Sequence, residues 1–204
     1  QVSGVNFAVW APNAANVSVI GDFNDWNAST HPMENVDNSG YWQCLIESAK
    51  IGSHYKFAVT NDSNHDNSTV DKADPFGQQA QFRPDTASIV ADPSEYPWKD
   101  EKWLAARAAR NSRDTAISIY EVHLGSWKRD ENNGYLNYRE LADQIIPYAL
   151  DLGFTHIQLM PVSEYPFDGS WGYQPVGLFA PSARFGSPED FKYFVEQCHL
   201  ADLG

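Results

Sequence analysis

The period of the hydrophobic pattern changes once along this chain, and that change constrains the fold more than any single motif. Up to Ala91, apolar and polar residues alternate in short runs: Gly4 to Trp10, Asn16 to Phe23, Tyr41 to Ile46 and His54 to Thr60. Turn-forming clusters separate them at Pro12-Asn13, Asn24 to Thr30, Asp37 to Gly40 and Asn61 to Asn67. Alternation with period two means half-buried strands, and short strands at this spacing predict an all-β, immunoglobulin-like sandwich. Ala87-Ser-Ile-Val-Ala91 is expected to close its edge. From Ala116 the order becomes strand (Ile117 to Leu124), helix, strand (Phe154 to Pro161), helix. A βαβα run implies a parallel sheet or barrel, so the chain is multi-domain.

The two helices carry their own start and stop signals. Asn137 and Glu140 are spaced as a capping box, followed by Leu141, Ile145, Tyr148, Ala149 and Leu152 on one face and Gly153 as a stop. Pro147 within that helix predicts a kink. The second helix opens with Ser187 at the cap and Pro188 at the first helical position, then places Phe191, Phe194, Val195 and Cys198 at helical spacing. Two strand–helix units fall short of the eight strands of a (β/α)8 TIM barrel, which takes about 250 residues. The expected organisation is a sandwich over residues 1–91, a linker with a short helix over 92–115, and a truncated first βαβα portion of such a barrel over 116–204. Gln1 and Gly204 then read as the cut ends of a fragment.

Charge narrows the partners. The 204 residues carry 14 Lys plus Arg against 27 Asp plus Glu, a net charge of -13. That balance argues against nucleic acid or an anionic membrane, because phosphate binding needs a basic face. A neutral polymer fits. No apolar run reaches the roughly 20 residues of a membrane helix. Cys44 and Cys198 lie in apolar patterns far apart, as buried thiols of a reducing compartment would, which points to the cytoplasm. No cofactor is called for, and no His, Cys or acid cluster stands at metal-ligand spacing.

The place to look for function is the stretch after the second barrel-type strand, Ser163 to Phe191, reading SEYPFDGSWGYQPVGLFAPSARFGSPEDF. A long loop rich in Gly, Asp and aromatics at the end of a parallel strand is how an α/β barrel presents its active-site rim. With Tyr120-Glu-Val-His-Leu-Gly-Ser-Trp127 upstream, this region resembles the start of the catalytic barrel of 1,4-α-glucan branching enzymes in the α-amylase superfamily. The N-terminal part resembles the glycogen-binding type of carbohydrate module that precedes such barrels, through Asn6 to Pro12, Gly21 to Asn27, Gly40-Tyr-Trp42 and Tyr55-Lys-Phe57.

The resemblance implies an enzyme that cleaves an α-1,4 linkage and re-attaches the segment through an α-1,6 bond, with α-glucan as partner. It implies that Tyr173 stacks on the glucosyl ring to be transferred, with Asp168 and Gln174 as polar neighbours able to contact sugar hydroxyls. In the module it places Trp26 as a sugar-stacking ring and Lys56 as a hydroxyl contact, although packing or docking serves Trp26 equally well. Asn61 to Asp66 holds no aromatic where binding modules carry a second Trp. Arg184 is expected to pin the loop through a salt bridge, and His123, read as mid-strand, and His156 as hydrogen-bonded or core histidines. A retaining transfer needs two carboxylic groups. The resemblance puts both beyond Gly204, so no catalytic residue is assigned; Glu121, Glu164 and Asp202 match no catalytic motif. The alternatives are a trehalose-releasing or debranching relative, or a non-catalytic glucan-binding module.

Overall fold

A computed structural model describes residues 3–61, 68–92, 94 and 96–204. The chain divides into two compact units, Gln1–Asp92 with Pro175–Ala180, and Pro93–Gln174 with Pro181–Gly204.

The first unit is built from antiparallel strands β1 (Val5–Trp10), β2 (Ala14–Gly21), β3 (Glu34–Asn35), β4 (Tyr41–Ile46), β5 (His54–Asn61), β6 (Thr69–Lys72) and β7 (Ser88–Ile89). One sheet has the order β1-β4-β3; the other has β2-β5-β6, with β7 also pairing β5. Alternation sends Phe7, Val9, Val17, Val19, Trp42, Ile46, Tyr55 and Phe57 into one shared core. The edge expected of Ala87 to Ala91 is smaller than that: only Ser88 and Ile89 pair, with Tyr55 and His54. The rest of that side of β5 is taken by β6, whose four residues are all exposed and give no hydrophobic signal.

In the second unit, α1 (Glu101–Arg110) is followed by β8 (Ile119–Val122), α2 (Leu124–Trp127), α3 (Tyr138–Asp151), β9 (His156–Leu159) and α4 (Pro188–Leu200). Strands β8 and β9 are parallel, from Ile119↔His156 to Val122↔Leu159. The capping box expected at the start of α3 forms, and Ser187 caps α4 as expected, there in a box with Asp190. The buried stripe of α3 is Tyr138, Leu141, Ala142, Ile145, Ile146 and Ala149. Two residues assigned to that face are therefore misplaced: Tyr148 and Leu152 are 46% and 54% exposed. The stripe follows i, i+3 and i+4 steps from Tyr138, which brings Ala142 and Ile146 inward instead. Strand β8 also stops at Val122, before the expected Leu124, and His123 is not mid-strand but the N-terminal cap residue of α2. Leu124 keeps the apolar pattern going and is buried, yet as the first residue of a helical turn.

Candidate functional site: two presented aromatic rings

The sequence-derived candidates fall into two groups, one in each unit. In the sandwich, β5 turns Tyr55 and Phe57 inward and leaves His54 and Lys56 on the outer face. After β2 the chain makes a tight turn in which Asp25 and Trp26 both take left-handed φ values of 52° and 59°. Such angles are rare for residues with a side chain and need local reinforcement. Asn24 provides it. Its Oδ1 accepts from the Gly21 amide and its Nδ2 donates to the Val19 carbonyl, each at 2.9 Å. Trp26, 41% exposed, is thereby held at the rim of a depression of about 620 Å³ that Lys56, His54, Asp22, Asp71 and Gln81 also line.

Polar groups around this depression are already oriented. Lys56 Nζ donates to Thr86 Oγ1 at 2.9 Å. The His54 amide donates to Asp22 at 2.9 Å and holds its carboxyl below the ordinary value, against the opposing effect of burial and with help from the His54 ring. An indole beside fixed donors and acceptors suits a pyranose, which offers an apolar face and a ring of hydroxyls. The structure brings Trp26 and Lys56 together; His54, Asp22, Asp71 and Gln81 were not singled out in the sequence. The period of two alone could have added His54, two residues before Lys56. Of the turn at Asn61 to Asp66, all but Asn61 lies outside the described residues.

In the second unit, Asp168, Tyr173 and Gln174 lie on the loop that follows β9. Trp171 donates its amide to Asp168 O at 3.1 Å and Tyr173 donates to Ser170 O at 3.0 Å, which makes two successive tight turns. Gly172 has φ 91°, and a Cβ there would come within 2.5 Å of the Pro161 carbonyl oxygen. Only glycine fits. The outcome is a Tyr173 ring that is 66% exposed, with Gln174 exposed beside it.

Beneath this loop sits Arg184. Its Nε and Nη2 donate to Asp168 Oδ1 at 2.9 and 2.7 Å, its Nη1 donates to Glu164 Oε1 at 2.9 Å and to the Tyr165 carbonyl, and the guanidinium lies 3.8 Å over the Tyr165 ring. Both Arg184 and Glu164 are buried. Burial works against the guanidinium charge, but Asp168, Tyr165 and Glu164 together hold its pKa above the ordinary value. Burial also pushes the Glu164 carboxyl up, opposed by the Ala183 amide, the Arg184 charge and the Tyr165 amide. Arg184 thus forms the loop-pinning salt bridge expected of it. Asp168 is one of its partners and is more than a surface acid.

The remaining candidates have structural settings. His156 hydrogen-bonds Thr155 and Asn111, Glu121 accepts from Gln158 at 3.0 Å, and Asp202 pairs with Arg110 at 2.7 Å. Both cysteines are free, and burial pushes the Cys198 thiol up to about 12. Among the described residues no group of three His, Cys, Asp or Glu could hold a metal, and no helix is long and apolar enough to cross a membrane.

With this geometry in view, comparison with known proteins is specific. Residues 1–77 match the family of carbohydrate-binding module 48, the isoamylase N-terminal domain. Over its full length the chain is similar to 1,4-α-glucan branching enzymes. It is 51% identical to GlgB 2 of Xanthomonas oryzae pv. oryzae (strain MAFF 311018), covering 100% of this chain and 27% of that one. It is 54% identical to GlgB of Saccharophagus degradans, covering 99% of this chain and 28% of that one. The match falls in the N-terminal region of these enzymes, and the chain spans little more than a quarter of their length. A crystal structure of a candidate α-amylase from Salmonella typhimurium superposes with a TM-score of 0.75 at 25% identity, covering 100% of this chain and 31% of that one. Residues 1–77 therefore match module 48, and the whole chain is about half identical to the N-terminal region of branching enzymes.

Proposed function

We propose that this chain is the N-terminal part of a 1,4-α-glucan branching enzyme, and that its second unit opens a (β/α)8 catalytic barrel whose glucosyl-binding wall is Tyr173. The observation that carries the reading is the Tyr173 ring, held open to solvent on an anchored turn after a parallel strand, in a chain half-identical to branching enzymes. The loops after the strands of an α/β barrel are where its chemistry sits. An aromatic wall there shields and positions an oxocarbenium-like centre, while Asp168 and Gln174 offer hydroxyl contacts. The resemblance to branching enzymes puts the nucleophile and acid of the retaining transfer outside residues 1–204. The domain division is a sandwich over 1–91, a linker over 92–115 and barrel sequence over 116–204.

The substrate in this reading is a neutral α-glucan, consistent with a net charge of -13 and with no role for nucleic acid, membrane or cofactor. Two free thiols suit the cytoplasm. The test is amylose incubated with the full-length protein, debranched and profiled. New α-1,6 linkages are expected, with none from residues 1–204 alone; hydrolysis without new branches would overturn the reading. The depression beside Trp26 favours a second reading, a glucan-binding module, for the sandwich. Trp26 stacks on a sugar and Lys56 contacts its hydroxyls, and maltoheptaose titration of wild type and Trp26→Ala tests those roles.

A further inference from the structure

The turn that presents Tyr173 rests on a stacked pair with no role in the reading above. His123 lies nearly parallel to Trp171, with ring centroids 5.1 Å apart and planes at 15°. Its Nδ1 shares a hydrogen bond of 2.8 Å with Ser126 Oγ, which fixes the ring's orientation. Its Nε2 is enclosed and meets no partner among the described residues. Burial, with the charge of Arg129, holds this imidazole below the ordinary histidine value.

The chain transmits that contact over two residues. Trp171 takes a left-handed φ of 54°, and Gly172, at φ 91°, lies against Pro161 with no room for a side chain. No aromatic contact to the Tyr173 ring is found among the described residues. The direction of that ring is therefore inherited from its backbone, which is tied at Trp171 by the His123 stack and at Asp168 by Arg184. Releasing Trp171 removes one of these ties and leaves the Arg184 pairs and the seat of Gly172 on Pro161.

We propose that His123 is a positioning residue for Tyr173, acting through its stack on Trp171. The inference rests on the reading of Tyr173 as the wall of the glucosyl site. His123 itself touches no substrate, because its free nitrogen is enclosed beneath the turn.

Three variants of the full-length enzyme test it: His123→Ala, His123→Phe and Tyr173→Ala. A misplaced ring near reacting atoms costs up to about a hundredfold in rate. His123→Ala is expected to lower kcat roughly ten- to a hundredfold with KM changed less than about twofold, and His123→Phe, which keeps a flat ring for the stack, to recover most of that loss. Amide exchange at Tyr173, measured on the full-length enzyme, should quicken in His123→Ala and stay near wild type in His123→Phe. Unchanged Tyr173 exchange in His123→Ala, or a Phe variant as impaired as the Ala variant, overturns the positioning role. A normal His123→Ala beside an impaired Tyr173→Ala overturns it while leaving the site reading intact. Normal turnover of Tyr173→Ala sinks both.

Discussion

The sandwich and the α/β unit both offer an aromatic ring to solvent from a turn containing left-handed residues other than glycine, but they brace it by different physics. At Trp26 the brace is a neutral amide, Asn24, which completes the backbone hydrogen bonds of a turn already fixed by the register of β2 on β5. At Tyr173 the loop lies outside the β8–β9 ladder, and the brace is a charge cluster in which buried Arg184 and Glu164 reach out to the exposed Asp168. A sheet sets geometry through many weak, redundant bonds, whereas a loop depends on a few strong ones. The loop should therefore be the more fragile and the more sharply positioned of the two.

The largest expected effect comes from breaking the charge cluster. Arg184→Met leaves Glu164 buried without its counter-charge, a change that typically costs about 3–5 kcal/mol. Urea unfolding of residues 1–204, followed by exchange in the second unit, measures it; a loss under about 1 kcal/mol would mean the cluster braces nothing. Gly172→Ala comes next. Its Cβ would collide with the Pro161 carbonyl at 2.5 Å and its φ of 91° is foreign to alanine, so destabilisation of about 1–3 kcal/mol is expected, centred on the loop.

Smaller effects are expected in the sandwich. Trp26→Ala should weaken maltoheptaose binding about tenfold, on the order of 1.4 kcal/mol; identical calorimetric titrations would leave Trp26 a packing residue. The smallest effect is a pH dependence. The Asp22 carboxyl is held below its ordinary value of 3.8 by the His54 amide, so its contribution to stability is present above that value and fades as pH falls through the lowered folded value. Asp22→Asn should flatten the acid limb of the sandwich's unfolding curve there, and an unchanged limb would assign it to other carboxylates.

Legibility followed burial. Strands β1, β4 and β5 were readable because one face is core and the other is not, while β6 was hidden because Thr69 to Lys72 has no buried face at all. The helix starts were readable because a capping box is local in sequence. The burial of Tyr148 and Leu152 was misjudged because apolar identity does not reveal which side of the stripe a neighbour covers. Arg184 was legible as a salt-bridge former, but its partners Glu164 and Asp168 lie too far along the chain for any periodicity to name them. Trp26 and Lys56 were found by resemblance, and the rest of their depression comes from four separate stretches, which only the folded chain brings together.

The central claim is that the two presented rings do different work, Tyr173 at the reacting sugar and Trp26 at the bound polymer. Turnover of the full-length enzyme on amylose, measured alongside melting temperature for Tyr173→Ala and Trp26→Ala, tests it most directly. Tyr173→Ala should lower kcat roughly ten- to a thousandfold, on the order of 1.4 to 4 kcal/mol of barrier, without a matching loss of thermal stability. Trp26→Ala should raise the half-saturating glucan concentration and lower kcat less than about twofold. A Tyr173→Ala enzyme with near-normal turnover, or one that loses activity only in step with unfolding, would contradict the account.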